Sequence, residues 1–258
     1  MKAIIERYRK YRFLFEELVK RDFKKKYKRT VLGIFWSLLS PLLQLMVMSL
    51  VFSRFFGRTT QYYNSYLFIG NLVYSFFKES TNGGMQALMQ NSGIITKINT
   101  PKYVFLLSKN VSVLINFALS LVIMFIFVAV DGVAFHWRFF LLLYPILCLL
   151  AFNIGVGLIL SALFVFFKDV QYLYDIFTLL LMYLSAIFYP VESFSYAIQR
   201  LFLFNPVFTY IHYCRHIVLY GMIPSLNLHL LCGGYAFIAL LVGAVIYKKY
   251  NYRFIYYM

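Results

Sequence analysis

The chain has 258 residues, of which 62% are apolar, 21% aromatic and only 13% charged, with a net charge of +16. A soluble domain carries about 25% charged residues and confines its apolar side chains to one stripe of each helix. That excludes an ordinary soluble domain. The uninterrupted apolar runs exclude the alternating pattern of a transmembrane barrel, leaving an all-α integral membrane protein as the expected fold class.

Residues 1 to 30 read as an amphipathic helix. Ile4, Tyr8, Tyr11, Phe15, Leu18, Val19 and Phe23 recur at three-to-four spacing, with basic residues filling much of the remainder. Such a helix lies in the cytoplasmic interface, aromatic side down, or packs that side on a partner. Twelve of the 25 Lys/Arg precede the first apolar run, seven of them between Lys20 and Arg29. This asymmetry places the amino terminus in the cytoplasm. It also makes anionic headgroups, not nucleic acid, the partner of the charge. These thirty residues are charged throughout, so no cleavable signal sequence is expected.

Residues 31 to 258 form a bundle of six predicted spans in a single domain. The first covers Val31 to Phe52, with Pro41 expected to kink it and Gln44 inside. The second runs from Asn64 to Gln90. Its first half is apolar, but its second half, KESTNGGMQALMQN, is polar and must face protein or a water-filled route. A cytoplasmic loop, Asn91 to Lys102, leads to the third span, Tyr103 to Val130, which ends at an external turn, Asp131-Gly132. The fourth runs from Phe139 to Phe166; after the tight turn Lys168-Asp169 the fifth covers Tyr172 to Tyr189. Pro190 to Asn227 is too amphipathic to span and too apolar to be a free loop. Its prolines divide it into pieces suited to a re-entrant hairpin or to short helices at the external face. The sixth span, Leu228 to Tyr247, is closed on the inside by Lys248, Lys249 and Arg253, so both termini are expected in the cytoplasm.

Little in the sequence suggests catalysis. The nine acidic residues present no carboxylate pair on one face within the membrane, and no G-x-x-x-x-G-K-[ST] phosphate loop occurs. Cys148, Cys214 and Cys232 lack metal or disulfide spacing. His212 and His216 stand at i, i+4 with Cys214 between them, but a zinc site requires a further ligand, so interfacial polar packing is the reading and no metal is expected. Lys78 and Glu79 are ionisable at or near membrane depth, which marks a functional candidate beside the alternative of a structural pair. Of the many aromatics, Phe35, Trp36, Phe177, Tyr183 and Phe188 are candidates to line a route for sugars, since rings stack on the C–H faces of pyranoses.

Five stretches in order resemble one family along essentially the whole chain: RDFKKKYKRTVLGIFWSLLSPLL, IITKINTPKYVFLLSKNV, FVFFKDVQYL, FNPVFTYIHYCRHIVLYG and KKYNYRF. The sequence resembles the membrane subunits of type-2 (exporter) ABC transporters for polysaccharides, the O-antigen, capsule and teichoic-acid permeases. It departs from that pattern at Asn99-Thr100, where an aromatic usually precedes the proline, at Lys102, where Arg is common, and at Thr96, beside Lys97 where a second Lys is usual.

The resemblance implies a bacterial cytoplasmic-membrane permease without cofactors of its own. Two copies would form the pathway, and two copies of a separate ABC ATPase would bind ATP and magnesium beneath them. Gly93, Ile94, Ile95, Thr96, Lys97, Ile98, Pro101 and Lys102 would then form the ATPase-coupling loop, an assignment supported by the cost of an apolar Ile94-Ile95 turn in water. The substrate would be a glycan on undecaprenyl diphosphate or a similar lipid, its anionic head met by Lys24, Lys25, Lys26, Lys28 and Arg29. Asn205, Pro206 and Arg215 match the family's external segment. The competing readings are a permease of this type for a drug or small lipid, a membrane glycosyl- or acyltransferase, which would require an acidic or histidine cluster on one membrane side, and a membrane scaffold.

Overall fold

The computed structural model describes residues 2–28, 30–57, 60–98 and 100–257. Among these the chain is helical, with no strand. The helices are α1 (Lys2–Tyr27), α2 (Trp36–Phe56), α3 (Tyr63–Gln90), α4 (Ser92–Ile95), α5 (Tyr103–Val130), α6 (Leu143–Phe166), α7 (Val170–Leu184), α8 (Tyr196–Phe202), α9 (Pro206–Val218) and α10 (Leu226–Tyr250). Short 3-10 turns precede α2, α6 and α8, and one follows α10. Four segments are long and apolar enough to cross a bilayer: Trp36–Phe56, Tyr103–Val130, Trp137–Phe166 and Leu226–Tyr250.

Boundaries move where backbone chemistry requires it. Gly33 adopts a left-handed φ of 53°, which breaks the chain between the basic collar and the first span. The helix therefore starts at Trp36 instead of Val31 and runs unbroken through Pro41 to Phe56. The predicted fifth span ends early, at Leu184. Ala186 takes φ 48°, and the carbonyls from Ala186 to Tyr189 are claimed by side chains of other helices, those of Ala186 and Ile187 by Arg215 and those of Phe188 and Tyr189 by Tyr63 and Tyr66 of α3. The proline-divided stretch after it forms α8 and α9, as its composition suggested.

Packing makes one main core and a second at the cytoplasmic end. The main core collects Tyr66, Phe68, Phe77, Phe152, Tyr210, Ile211, Tyr213 and Cys232, from α3, α6, α9 and α10. The cytoplasmic cluster joins Leu18 of α1 to Leu88, Ile95, Leu106, Val165, Tyr247 and Phe254. Tyr11, Leu14 and Phe15 pack against it, so the part of the α1 stripe from Tyr11 to Leu18 faces its own chain.

Helices α6 and α10 approach backbone to backbone. A Cβ built on Gly155 would lie 2.3 Å from the Ala239 carbonyl carbon, and one on Gly243 would lie 2.5 Å from the Gly155 oxygen. Small residues at such a crossing replace the missing hydrophobic drive with close dispersion contacts. At the other end of the bundle, Asp131 accepts hydrogen bonds from the backbone N–H of Ser65 at 2.9 Å and from its hydroxyl at 2.6 Å. One of the amide donors left open at the start of α3 is thereby satisfied from the end of α5, so these two ends lie together.

Gly155→Val is expected to cost about 1–3 kcal/mol through overpacking, seen as a lower thermal midpoint in detergent. Gly234→Ala, whose Cβ meets nothing within 4 Å, is expected to leave the midpoint unchanged or raise it slightly.

Candidate functional site

The polar half of α3 borders two connected hollows. The larger, about 820 Å³, is walled by Arg21 and Lys25 of α1, by Lys78, Glu79, Asn82, Gln86 and Gln90 of α3, and by Lys109 of α5. The smaller, about 370 Å³, lies between α2, α3 and α5. Gln44, Ser75, Glu79 and Asn116 line both.

Register sets their depth. The Ser49 hydroxyl donates to the Asn64 side chain at 2.7 Å, pairing antiparallel α2 and α3. Thirteen residues back from Ser49 is Trp36, and thirteen on from Asn64 is Phe77. Lys78 and Glu79 are therefore level with the start of α2, where the basic collar ends, and the amides beyond them reach past it. The smaller hollow extends from that level toward Asn71, within the inner half of α2.

Helix α1 roofs the cytoplasmic mouth. Asp22 pairs with Arg21 at 2.8 Å and with Lys109 of α5 at 3.8 Å, tying the two helices together. Along α3 the amides form a ladder: Gln90 donates to Gln86 at 2.8 Å, and Gln86 to Asn82 at 3.0 Å. Four cations and two carboxylates line the larger groove, so its field attracts anions, and phosphate above all.

The candidates are distributed unevenly around this groove. Lys25, Lys78, Glu79 and Trp36 line one hollow or the other. Lys24 and Lys28 are exposed and line neither hollow; the Lys26 side chain and all of Arg29 lie outside the described residues. Phe35 is exposed near the start of α2. Phe177 and Tyr183 lie on the exposed face of α7, while Phe188 is 5% exposed and stacks on Phe52 at 4.6 Å. Phe188 is thus core packing, a correction to its reading as a glycan contact, and the five aromatics do not gather into one lining.

The cytoplasmic loop is also sharper than its sequence. Ile95 is 5% exposed inside the cytoplasmic core and Ile94 packs against that core, so the chain's own packing accounts for these two apolar side chains. Gly93, Thr96, Lys97 and Ile98 form the exposed edge; Pro101 is half-buried. Lys102 is buried, with Nζ donating to the Asn251 carbonyl and sitting 5.7 Å from the centre of the Phe254 ring. Burial holds its pKa below the ordinary lysine value.

At the far end, Asn205, Pro206 and Arg215 act as a clamp. The Asn205 side-chain Oδ1 accepts from the backbone N–H of Val207 and Phe208, capping α9, with Pro206 in the first turn. Its amide nitrogen donates to the Leu184 carbonyl at 3.1 Å and the Ser185 hydroxyl at 3.0 Å. Arg215, 3% exposed, donates to the carbonyls of Ala186 at 2.9 Å, Ile187 at 3.1 Å and Tyr66 at 3.2 Å. Its guanidinium lies 3.4 Å from the centre of the Tyr66 ring. A Cβ on Gly70 would come within 2.7 Å of this guanidinium, so α3 needs glycine there. His212 and His216 touch through their Nε2 atoms at 3.1 Å, with His212 stacked on Phe208. Among the described residues no three His, Cys, Asp or Glu side chains gather as a metal site.

Sequence reading missed Asn71, Ser75, Asn116 and Ser120, and gave Gln44 no role. Their signal is spacing: Ser112, Asn116 and Ser120 on α5, and Asn71, Ser75 and Glu79 on α3, each repeat every four residues and so share a helix face.

Comparison with known proteins agrees along the length of the chain. The model of the ABC-2 type transporter family matches residues 14–219. The O-antigen export system permease protein RfbA of Myxococcus xanthus is 30% identical over 183 residues, covering 71% of this chain and 70% of the relative. A permease of the same name from Klebsiella pneumoniae is 26% identical over 251 residues, 94% of this chain and 95% of the relative.

Arg215→Met removes a buried charged donor shared by three backbone carbonyls and is expected to cost about 3 kcal/mol or more, read as a lower thermal midpoint in detergent. Arg215→Lys is expected to rescue little, because one ammonium cannot span the fork.

Proposed function

Because this chain belongs to the ABC-2 type transporter family, we propose that it is the permease subunit of an ATP-driven exporter of a lipid-linked polysaccharide. The observation that carries this reading is the groove. An open, cationic, amide-lined trough at the collar suits a diphosphate head, and it continues into a polar hollow at membrane depth. Similarity to O-antigen export permeases over nearly the full length of both chains supports the polysaccharide class. The chain itself is a transport subunit in the cytoplasmic membrane; ATP and magnesium are assigned to a separate ABC ATPase.

In this reading α2, α3, α5, α6, α7 and α10 make six spans with both termini in the cytoplasm. Helix α7 is about 22 Å long at 1.5 Å per residue, short of a bilayer core of about 30 Å. The segment beyond it, with α8 and α9, completes the crossing as a re-entrant element at the external face. A second copy of the chain would cover the apolar face of α7, where Leu173, Ile176, Leu180 and Leu184 are all more than half exposed. Two ATPase subunits would dock on the exposed edge Gly93, Thr96, Lys97 and Ile98. Closure of the ATPase pair would then act on α1, α3 and α5 through the cytoplasmic core that holds Ile95.

Co-expression with the ABC ATPase of its export system tests this directly. The wild-type chain is expected to co-purify with ATPase activity. Ile98→Asp with Lys97→Glu is expected to reduce the ATPase recovered at least tenfold while membrane insertion is retained. Ile95→Asp is expected instead to lower the yield of folded chain. Undiminished ATPase recovery with Ile98→Asp and Lys97→Glu would remove the docking edge from the account.

A further inference from the structure

The smaller hollow is distinct in chemistry from the groove that feeds it. Its lining includes hydroxyls, amides and the Glu79 carboxylate but no Lys or Arg among the described residues. Phe76 and Phe117, stacked at 4.4 Å, form an apolar part of its wall, and Trp36 lines it from α2. Asn71 is 4% exposed, borders this space, and makes no side-chain hydrogen bond to another described residue. Its two donors and two acceptor sites are therefore met from the hollow, by water or by a polar ligand that displaces it.

The chemistry narrows what that occupant is. A phosphate finds four cations in the groove and none among the described residues that line the hollow. A lipid tail leaves Asn71, Gln44 and Ser75 unsatisfied. A neutral polyhydroxyl ring satisfies both halves of the lining, hydroxyls on the amides and C–H faces on the aromatic rings. The volume, about 370 Å³, falls within the range of small-ligand sites, about 300–1,000 Å³.

We propose that this hollow, built around Asn71, Gln44 and Trp36, is a binding subsite for one sugar ring of the substrate, while the diphosphate stays in the cationic groove. The assignment rests on the exporter reading above. It divides recognition between two places: the groove reads the charge shared by every lipid diphosphate, and the hollow reads the presence of the sugar. An empty carrier and a loaded one are therefore told apart before transport begins.

The test uses the complex of this chain with its ATPase in nanodiscs and two probes, undecaprenyl diphosphate alone and the same lipid carrying a single N-acetylglucosamine. Wild type is expected to bind the sugar-bearing lipid about tenfold more tightly, the worth of one or two hydrogen bonds to a buried amide. Asn71→Leu, and separately Trp36→Leu on the exposed side of α2, which borders the hollow and not the groove, are expected to abolish that preference while leaving the affinity for the bare lipid unchanged. A preference that survives both substitutions overturns the subsite. Equal affinity of wild type for the two lipids also overturns it and leaves the exporter reading standing. Binding of neither lipid by wild type overturns both.

Discussion

An unpartnered polar group in hydrocarbon costs several kcal/mol, and α3 carries a whole row of them. Its 28 residues extend about 42 Å at 1.5 Å per residue, against a bilayer core of about 30 Å. The excess is found at the cytoplasmic end, where Lys78, Glu79, Asn82, Gln86 and Gln90 follow one another along one face. Much of the architecture is arranged around keeping that face out of lipid. Helix α1 folds over it, held by Asp22 to Lys109 and by Leu18 in the cytoplasmic core. Helices α2 and α5 turn their own polar positions toward it, so the groove is walled on several sides by groups that need water or a polar ligand.

The outer end solves the opposite problem. There α7 stops after 15 residues, and the carbonyls released at membrane depth need donors. Arg215 and Asn205 supply them from α9 and its cap, while Tyr66 takes the guanidinium on its ring. The same contacts fix where α9 inserts against α3. The two ends thus differ in kind: the end with the basic collar, cytoplasmic in the proposed topology, is open and charged, whereas the opposite end is closed by a buried cation bonded to backbone.

The apolar spans were legible because bilayer length and side-chain composition act locally, residue by residue. The polar half of the second span, the external Asp131 turn and the short helices between prolines were legible for the same reason. The end of α7 was not, because it is set by Arg215, which lies 31 positions beyond Leu184 and whose reach depends on the fold. Ile95 and Phe188 misled in one way: an apolar or aromatic residue beside a functional segment reads as a contact for a partner, while in the fold each fills its own core. The polar stripe Ser112, Asn116, Ser120 was visible as a four-residue repeat inside an apolar span. Each of its members looks tolerable alone, and only the pairing of that face with Asn71 and Ser75 gives it meaning.

The central claim is that the polar face of α3 borders an aqueous groove open to the cytoplasm. Single cysteines introduced at Ser75, Asn82 and Gln86, in a chain whose three native cysteines are replaced, can be probed in inside-out vesicles with a charged, membrane-impermeant thiol reagent. The account predicts rapid labelling at these three positions and none at Phe77 or Met85, which lie buried on the other faces of the same helix. Protection of Ser75, Asn82 and Gln86, or labelling that does not distinguish them from Phe77 and Met85, would contradict it.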